Sequence, residues 1–148
     1  MMRVWLAAVA LTASLGAAGA AALDPVLNDP ILSWNEPVPA DCKNAGTTIA
    51  LDSCAGTVFK KNYLAMVALY NGLAGKYDKK NRALLQAAQR SWYKYVTDQC
   101  AFATAPTEGG TINSMIVTEC KNDHTLERIT ELKAQRDCQE GDMSCNHP

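Results

Sequence analysis

Six cysteines hold most of the chemical potential of this 148-residue chain: Cys42, Cys54, Cys100, Cys120, Cys138 and Cys145. An even count in an exported chain reads as a disulfide framework. No C-x-x-C occurs, so thioredoxin-type exchange and C-x-x-C-H haem attachment both lack a motif. The rival use of the thiols is metal binding. Cys120 and His124 stand one helical turn apart with Asp123 beside them, and Cys138, Cys145 and His147 form a second group. No second ligand pair accompanies Cys120 and His124, and oxidised sulfur is a poor ligand, so neither a metal nor a cofactor is expected. A Cys–His nucleophile needs a free thiolate, which oxidising export disfavours. Asp123, Glu127 and Glu131 repeat at i,i+4 and could imitate a glycosidase acid pair. Carboxylates on an exposed helix usually serve solvation, however, and no row of aromatic sugar platforms accompanies them. The chain is therefore read as non-enzymatic.

Arg90 and Arg128 admit two readings. As helix-surface arginines they make intramolecular ion pairs, which contribute little when exposed. As forked donors they would grip a partner's carboxylates.

The elements that position these groups follow from periodicity. The first residues combine Arg3, an apolar run from Val4 to Leu15 and the small triplet Ala20-Ala21-Ala22, the pattern of a secretory signal peptide over 1–22. Cleavage there leaves about 126 residues, enough for one modest core. It also takes Lys+Arg from 14 to 13 against 15 acidic residues, a net charge of about −2. No Lys/Arg cluster is interleaved with aromatics, so no nucleic-acid partner is expected. No cysteine follows the cleavage site directly, so no lipid anchor and no stable membrane attachment is expected either. The product is placed in the periplasm or secreted.

Residues 23–41 contain Pro25, Pro30, Pro37 and Pro39, a spacing that forbids helix and favours an extended arm. It is either a mobile tether or a segment that docks Ile31, Leu32 and Trp34 on the domain or on a partner. From Ser53 to Leu73 a helical stripe runs through Phe59, Tyr63, Met66, Tyr70 and Leu73, with Gly72 and Gly75 at its expected stop. A second helix spans Asp78 to Cys100, its stripe made of Leu84, Leu85, Ala88, Trp92, Tyr95, Val96 and Gln99. The short connection between them implies antiparallel packing. After Cys100 comes AFATAPTEGGT, a loop. A third helix then runs to about Cys138, capped by Thr111, Asn113 or Ser114, with Met115, Ile116, Cys120, Leu126, Ile129 and Leu132 on its stripe. The expected fold is all-α: a small disulfide-linked antiparallel bundle of about three helices over 42–137, with the extended arm before it and a Cys-closed tail, 138–148, after it. The expected core includes Tyr70, Leu84, Ala88, Trp92, Tyr95 and Met115. Six cysteines allow 15 pairings. Cys42–Cys54, Cys100–Cys120 and Cys138–Cys145 are preferred, and cross-links among the first four remain the rival.

Two runs carry a family resemblance. One is Leu85-x-x-Ala88-Gln89-Arg90-x-Trp92-x-x-Tyr95 followed by Cys100. The other is Gly109-Gly110-x-x-x-x-Met115-x-x-x-x-Cys120-x-x-x-x-Thr125-x-x-Arg128-x-x-x-Leu132. With Cys42, Thr47, Cys54, Tyr70 and Leu73 upstream, residues 42–137 resemble the LprI-type lysozyme-inhibitor domain, a small exported Cys-rich family. The chain departs from that family at Tyr63, Met66 and Val67, where an Asp and a Leu-Asn are usual, and in having no lipidation cysteine. The resemblance implies a helical disulfide-linked fold and inhibition of a lysozyme by protein–protein contact. An inhibitor of that kind needs a protruding loop, and Glu108, Gly109 and Gly110 are the candidates, since glycine lets a backbone approach closely. The alternative is an envelope module that binds another protein or a wall component through the arm, without inhibiting lysozyme.

Overall fold

The computed structural model describes residues 27–147. The expected signal peptide, the first residues of the arm (23–26) and Pro148 lie outside the described residues. Three helices follow in order: α1 Thr48–Lys76, α2 Lys79–Thr104 and α3 Asn113–Arg136.

Local chemistry sets their ends. Thr47 is extended and its side chain accepts from Ala50 N at 3.2 Å, which starts α1. The helix runs on through Gly72 and Gly75, expected to stop it, and ends one turn later at Tyr77. What stops it is the next cap: Asp78 Oδ1 accepts from Asn81 N at 2.7 Å and opens α2. α3 has no side-chain cap, contrary to the expectation for Thr111, Asn113 or Ser114. The Asn113 side chain instead sits 2.8 Å from Thr107 Oγ1, holding the preceding loop closed.

α2 runs antiparallel to α1, as Arg82 Nε donating to Ala74 O and Gln89 Nε2 reaching Met66 Sδ at 3.6 Å attest. The closest backbone approach, however, is between α1 and α3, while α1 and α2 meet through long side chains. α1 supplies the centre with Phe59, Tyr63, Met66, Tyr70 and Leu73, all buried. α3 adds Thr125, Ile129 and Leu132, whereas Leu126 faces out.

α2 departs most from expectation. Its buried residues are Gln89, Val96, Cys100 and Thr104, with Leu85 and Trp92 half-buried beside them. Leu84 (57% exposed), Tyr95 (54% exposed) and Ala88 lie outside the core. The inward face is turned by roughly 80° from the apolar stripe, counted at 100° per residue. Three of its four buried side chains are not hydrocarbon, so a hydrophobic count assigns the stripe to the wrong side. Tyr95 rests edge-on against His124 instead, ring centroids 5.6 Å apart. Met115 sits half-buried at the rim of the bundle.

The arm is neither a tether nor wholly extended. Pro30–Ser33 forms a 3-10 turn, because Asp29 Oδ1 accepts from Ile31 N at 2.8 Å. Leu27, Asp29 and Ile31 are buried, and Tyr63 Oη donates to Leu27 O at 3.2 Å. Further along, Lys60 Nζ donates to Trp34 O and Ser53 Oγ to Pro37 O, both at 2.5 Å. The arm is thus a fourth packing element. Its tightest point is Trp34, whose indole edge lies where a side chain at Gly56 would stand. At the other end the tail folds back: Tyr77 Oη donates to Asn146 O at 3.1 Å. All three preferred disulfides are present.

A side chain at Gly56 overlaps the Trp34 ring, so Gly56→Val should cost about 1–3 kcal/mol, the usual overpacking penalty. The measurement is urea unfolding of the oxidised protein. A midpoint equal to that of the wild type contradicts the docked arm.

Candidate functional site

Two disulfides gather at one end of the bundle. Cys42–Cys54 ties the chain before α1 to its first turns, Cα atoms 5.7 Å apart. Cys100–Cys120 ties the end of α2 to α3 at 5.8 Å. Between α2 and α3 the loop 105–112 projects from this end, and it is braced from within. Glu108 N donates to Ala105 O (3.1 Å), Gly110 N to Thr107 O (2.9 Å) and Asn113 N to Gly110 O (3.2 Å). Gly109 has φ +77°, a left-handed conformation that glycine adopts without strain. Glu108, Gly109 and Gly110 are all exposed. Phe102 before the loop is 79% exposed and Ile49 at the start of α1 is 84% exposed. Such large apolar groups at one end are what a contact surface requires.

Two grooves open near the same end. One, of about 680 Å³, lies between the arm (Glu36, Val38) and the start of α1 (Ile49, Asp52). The other, of about 420 Å³, lies between α1 and α3, lined by Val58, Met115, Glu119, Asp123 and the Cys42–Cys54 bridge. The ionisable groups lining both are carboxylates alone. Beside the first, Trp34 Nε1 and Asp52 Oδ1 are covered and have no hydrogen-bond partner among the described residues. Buried polar atoms left that way typically cost about 1–3 kcal/mol each.

Arg90 and Arg128 do not join the loop. Each stands about fourteen or fifteen residues along its helix from the loop, roughly 22 Å at 1.5 Å per residue. Arg90 is exposed. Arg128 is engaged inside the chain: Nε donates to Gln89 Oε1 at 3.0 Å and one terminal nitrogen to Glu131 Oε2 at 2.6 Å. That is the intramolecular role, and it serves the completely buried Gln89.

Sequence reasoning missed a buried polar cluster under the arm. Tyr93 Oη donates to Asp29 Oδ2 at 2.8 Å, and Lys121 Nζ stands 3.8 Å from the same oxygen. Burial, then the hydrogen bond to Asp29 and its charge, push the Tyr93 phenol well above the ordinary tyrosine range. Burial raises Tyr63 in the same way, with the Asp29 charge adding to it. The one signal in the sequence was Asp29 itself, a capping residue directly before Pro30.

The two metal-spaced groups are brought together, each with its ligand atoms within 4.8 Å: Cys100, Cys120 and His124, and Cys138, Cys145 and His147. In both, the sulfurs are bonded to one another and offer no thiolate. His124 Nδ1 pairs with Glu127 Oε2 at 2.9 Å. Among the described residues, no helix is long and apolar enough to cross a membrane.

A family model described as lysozyme inhibitor LprI matches residues 40–132. An uncharacterized protein of Rhizobium meliloti (strain 1021) is 31% identical over 111 residues, covering 66% of this chain and 79% of that protein. No solved structure matches.

Replacing Arg128 leaves Gln89 Oε1 buried without its donor. Arg128→Met should therefore destabilise by about 1–3 kcal/mol, and Gln89→Leu added to it should recover part of that loss. A double-mutant cycle in denaturant reads the coupling, and additive effects contradict it. The raised phenols give a pH dependence. A group whose folded pKa lies above its unfolded value adds stability that is complete below the unfolded value, about 10 for tyrosine, and fades as pH rises beyond it. Tyr63 and Tyr93 should ionise only together with loss of helicity, followed by tyrosinate absorbance and circular dichroism on the same samples.

Proposed function

The chain belongs to the LprI lysozyme-inhibitor family, and from that premise we propose that it is an exported, non-enzymatic protein that inhibits a lysozyme by direct contact. The observation that supports this most is the braced loop at the double-disulfide end. Thr107 to Gly110 form a preorganised protrusion whose backbone amides are already tied within the loop, so little ordering is needed on binding. Glycines at 109 and 110 keep side-chain bulk away from whatever cleft receives the loop. Carboxylates at Glu108, Glu119 and Asp123 around an apolar surface suit a cationic enzyme, speeding encounter more than they deepen affinity.

The arm-based alternative is less well supported, because Ile31 is buried and the Trp34 ring edge is packed against Gly56. Neither residue is free to form an extended recognition segment. Six cysteines in three bridges fit an oxidising compartment, and export through the expected signal peptide is part of the same proposal.

Mature protein titrated into an animal lysozyme should slow lysis of bacterial cell walls in proportion to the amount added, and the effect should weaken as salt is raised. Gly109→Val forces a branched side chain into a left-handed position and should reduce inhibition tenfold or more without changing helicity. Undiminished lysis at several-fold molar excess of wild type ends the inhibitor reading.

A further inference from the structure

The groove between the arm and α1 shares the loop's end of the molecule, yet the loop does not line it. Its rim is apolar and open: Val38 is 58% exposed and Ile49 is 84% exposed. On the arm side Pro37 and Pro39 have no N–H, and the Pro37 carbonyl already accepts from Ser53. On the other side stands the first turn of α1, where Thr47 takes the Ala50 amide. The charges that line it, Glu36 and Asp52, are both negative. Beneath them Trp34 Nε1, turned toward Gly56, and Asp52 Oδ1 are covered and have no partner among the described residues. Apolar walls edged by carboxylates and by no cation mark a recognition site, and the sign of that charge says what is recognised.

We infer that this groove receives an extended segment of a basic partner protein, carrying an arginine or lysine next to a large apolar side chain. The apolar side chain packs on Val38 and Ile49. The cation sits against Glu36 and Asp52, where a forked guanidinium matches carboxylate geometry best. With the loop, the groove gives the partner two separate footholds on one end of the bundle. This assignment rests on the inhibitor reading, since a cationic lysozyme is the partner it names.

The test uses the mature chain, an animal lysozyme as probe, and Glu36→Lys with Ile49→Lys, both at exposed positions. The double variant should keep wild-type helicity and melting while binding at least tenfold more weakly. In the wild type, the Trp34 indole N–H resonance should move on titration, a readout that needs no variant. A wild type that binds and inhibits, matched equally by the double variant and with the indole signal fixed, overturns the groove and leaves the inhibitor reading standing. A wild type that neither binds nor inhibits removes that reading and this assignment with it. Concentration-dependent dimers in sedimentation, abolished by Glu36→Lys, would give the groove to a second copy of the chain and overturn the assignment too.

Discussion

The bridge between Cys100 and Cys120 sets the rotation of α2, and much of the rest follows. Cys100 is completely buried and must face α3. On a helix the residues sharing that face are Val96, Trp92 or Tyr93, Gln89 and Leu85, spaced by three and four. With the bridge fixed, Leu84, Ala88 and Tyr95 turn away from the core whatever their hydrophobicity. The bridge also closes the chain across the loop and removes much of the loop's freedom in the unfolded state, worth about 3 kcal/mol for a closed segment of this size. One covalent link therefore decides both which side of α2 is wet and how firmly the loop is held.

A second consequence is an interior that is polar where α2 meets its neighbours. Gln89 brings an amide into the core, and Arg128 must follow to satisfy its oxygen. Away from α2, Asn62 Nδ2 donates to Asn122 Oδ1 at 2.8 Å in a part-buried pair between α1 and α3. Under the arm, Asp29 is held by a phenol, a backbone amide and a lysine. Paired contacts of this kind add little net stability, but removing one partner is costly, so they fix register more than they add strength. That suits a small body that has to hold one shape.

Against this, the chain is legible in parts. The α1 stripe could be read directly, because Phe59, Tyr63, Met66, Tyr70 and Leu73 are all apolar and all buried, so period and packing agree. The cysteine pairing was legible only in part: an up-down hairpin brings Cys54, Cys100 and Cys120 to one end, which left cross-links among the first four open until the structure paired Cys42 with Cys54 and Cys100 with Cys120. The face of α2 was not. Gln89 is buried by pairing with Arg128, and pairing across 39 residues leaves no periodic trace. Thr104 is buried with its hydroxyl on the Cys100 carbonyl of its own helix. The arm was half legible: its prolines excluded a regular helix, yet nothing in them said that Gly56, on another element, leaves room for Trp34. At the candidate site the Gly109-Gly110 pair could be seen as a place of close backbone approach, whereas the left-handed turn was looked for at Gly72 and Gly75 and stands at Gly109 instead. The acidic groove beside α1 could not, because it is built from residues 36–39 and 47–53, which only the Cys42–Cys54 bridge and the docking of Trp34 bring together.

The perturbed groups and the exposed ones lie in different parts of the molecule. A catalytic carboxylate or phenol has to meet a substrate while its environment perturbs it. Tyr63 is buried and Tyr93 half-buried and bonded to Asp29, and their shifts come first from burial, with Asp29 adding to both. Of the exposed carboxylates, Glu127 is paired with His124, while Glu119 and Asp123 flank apolar surface. The large apolar side chains left exposed at the disulfide-bearing end, Ile49 and Phe102, are the groups that the proposed partner's surface would cover.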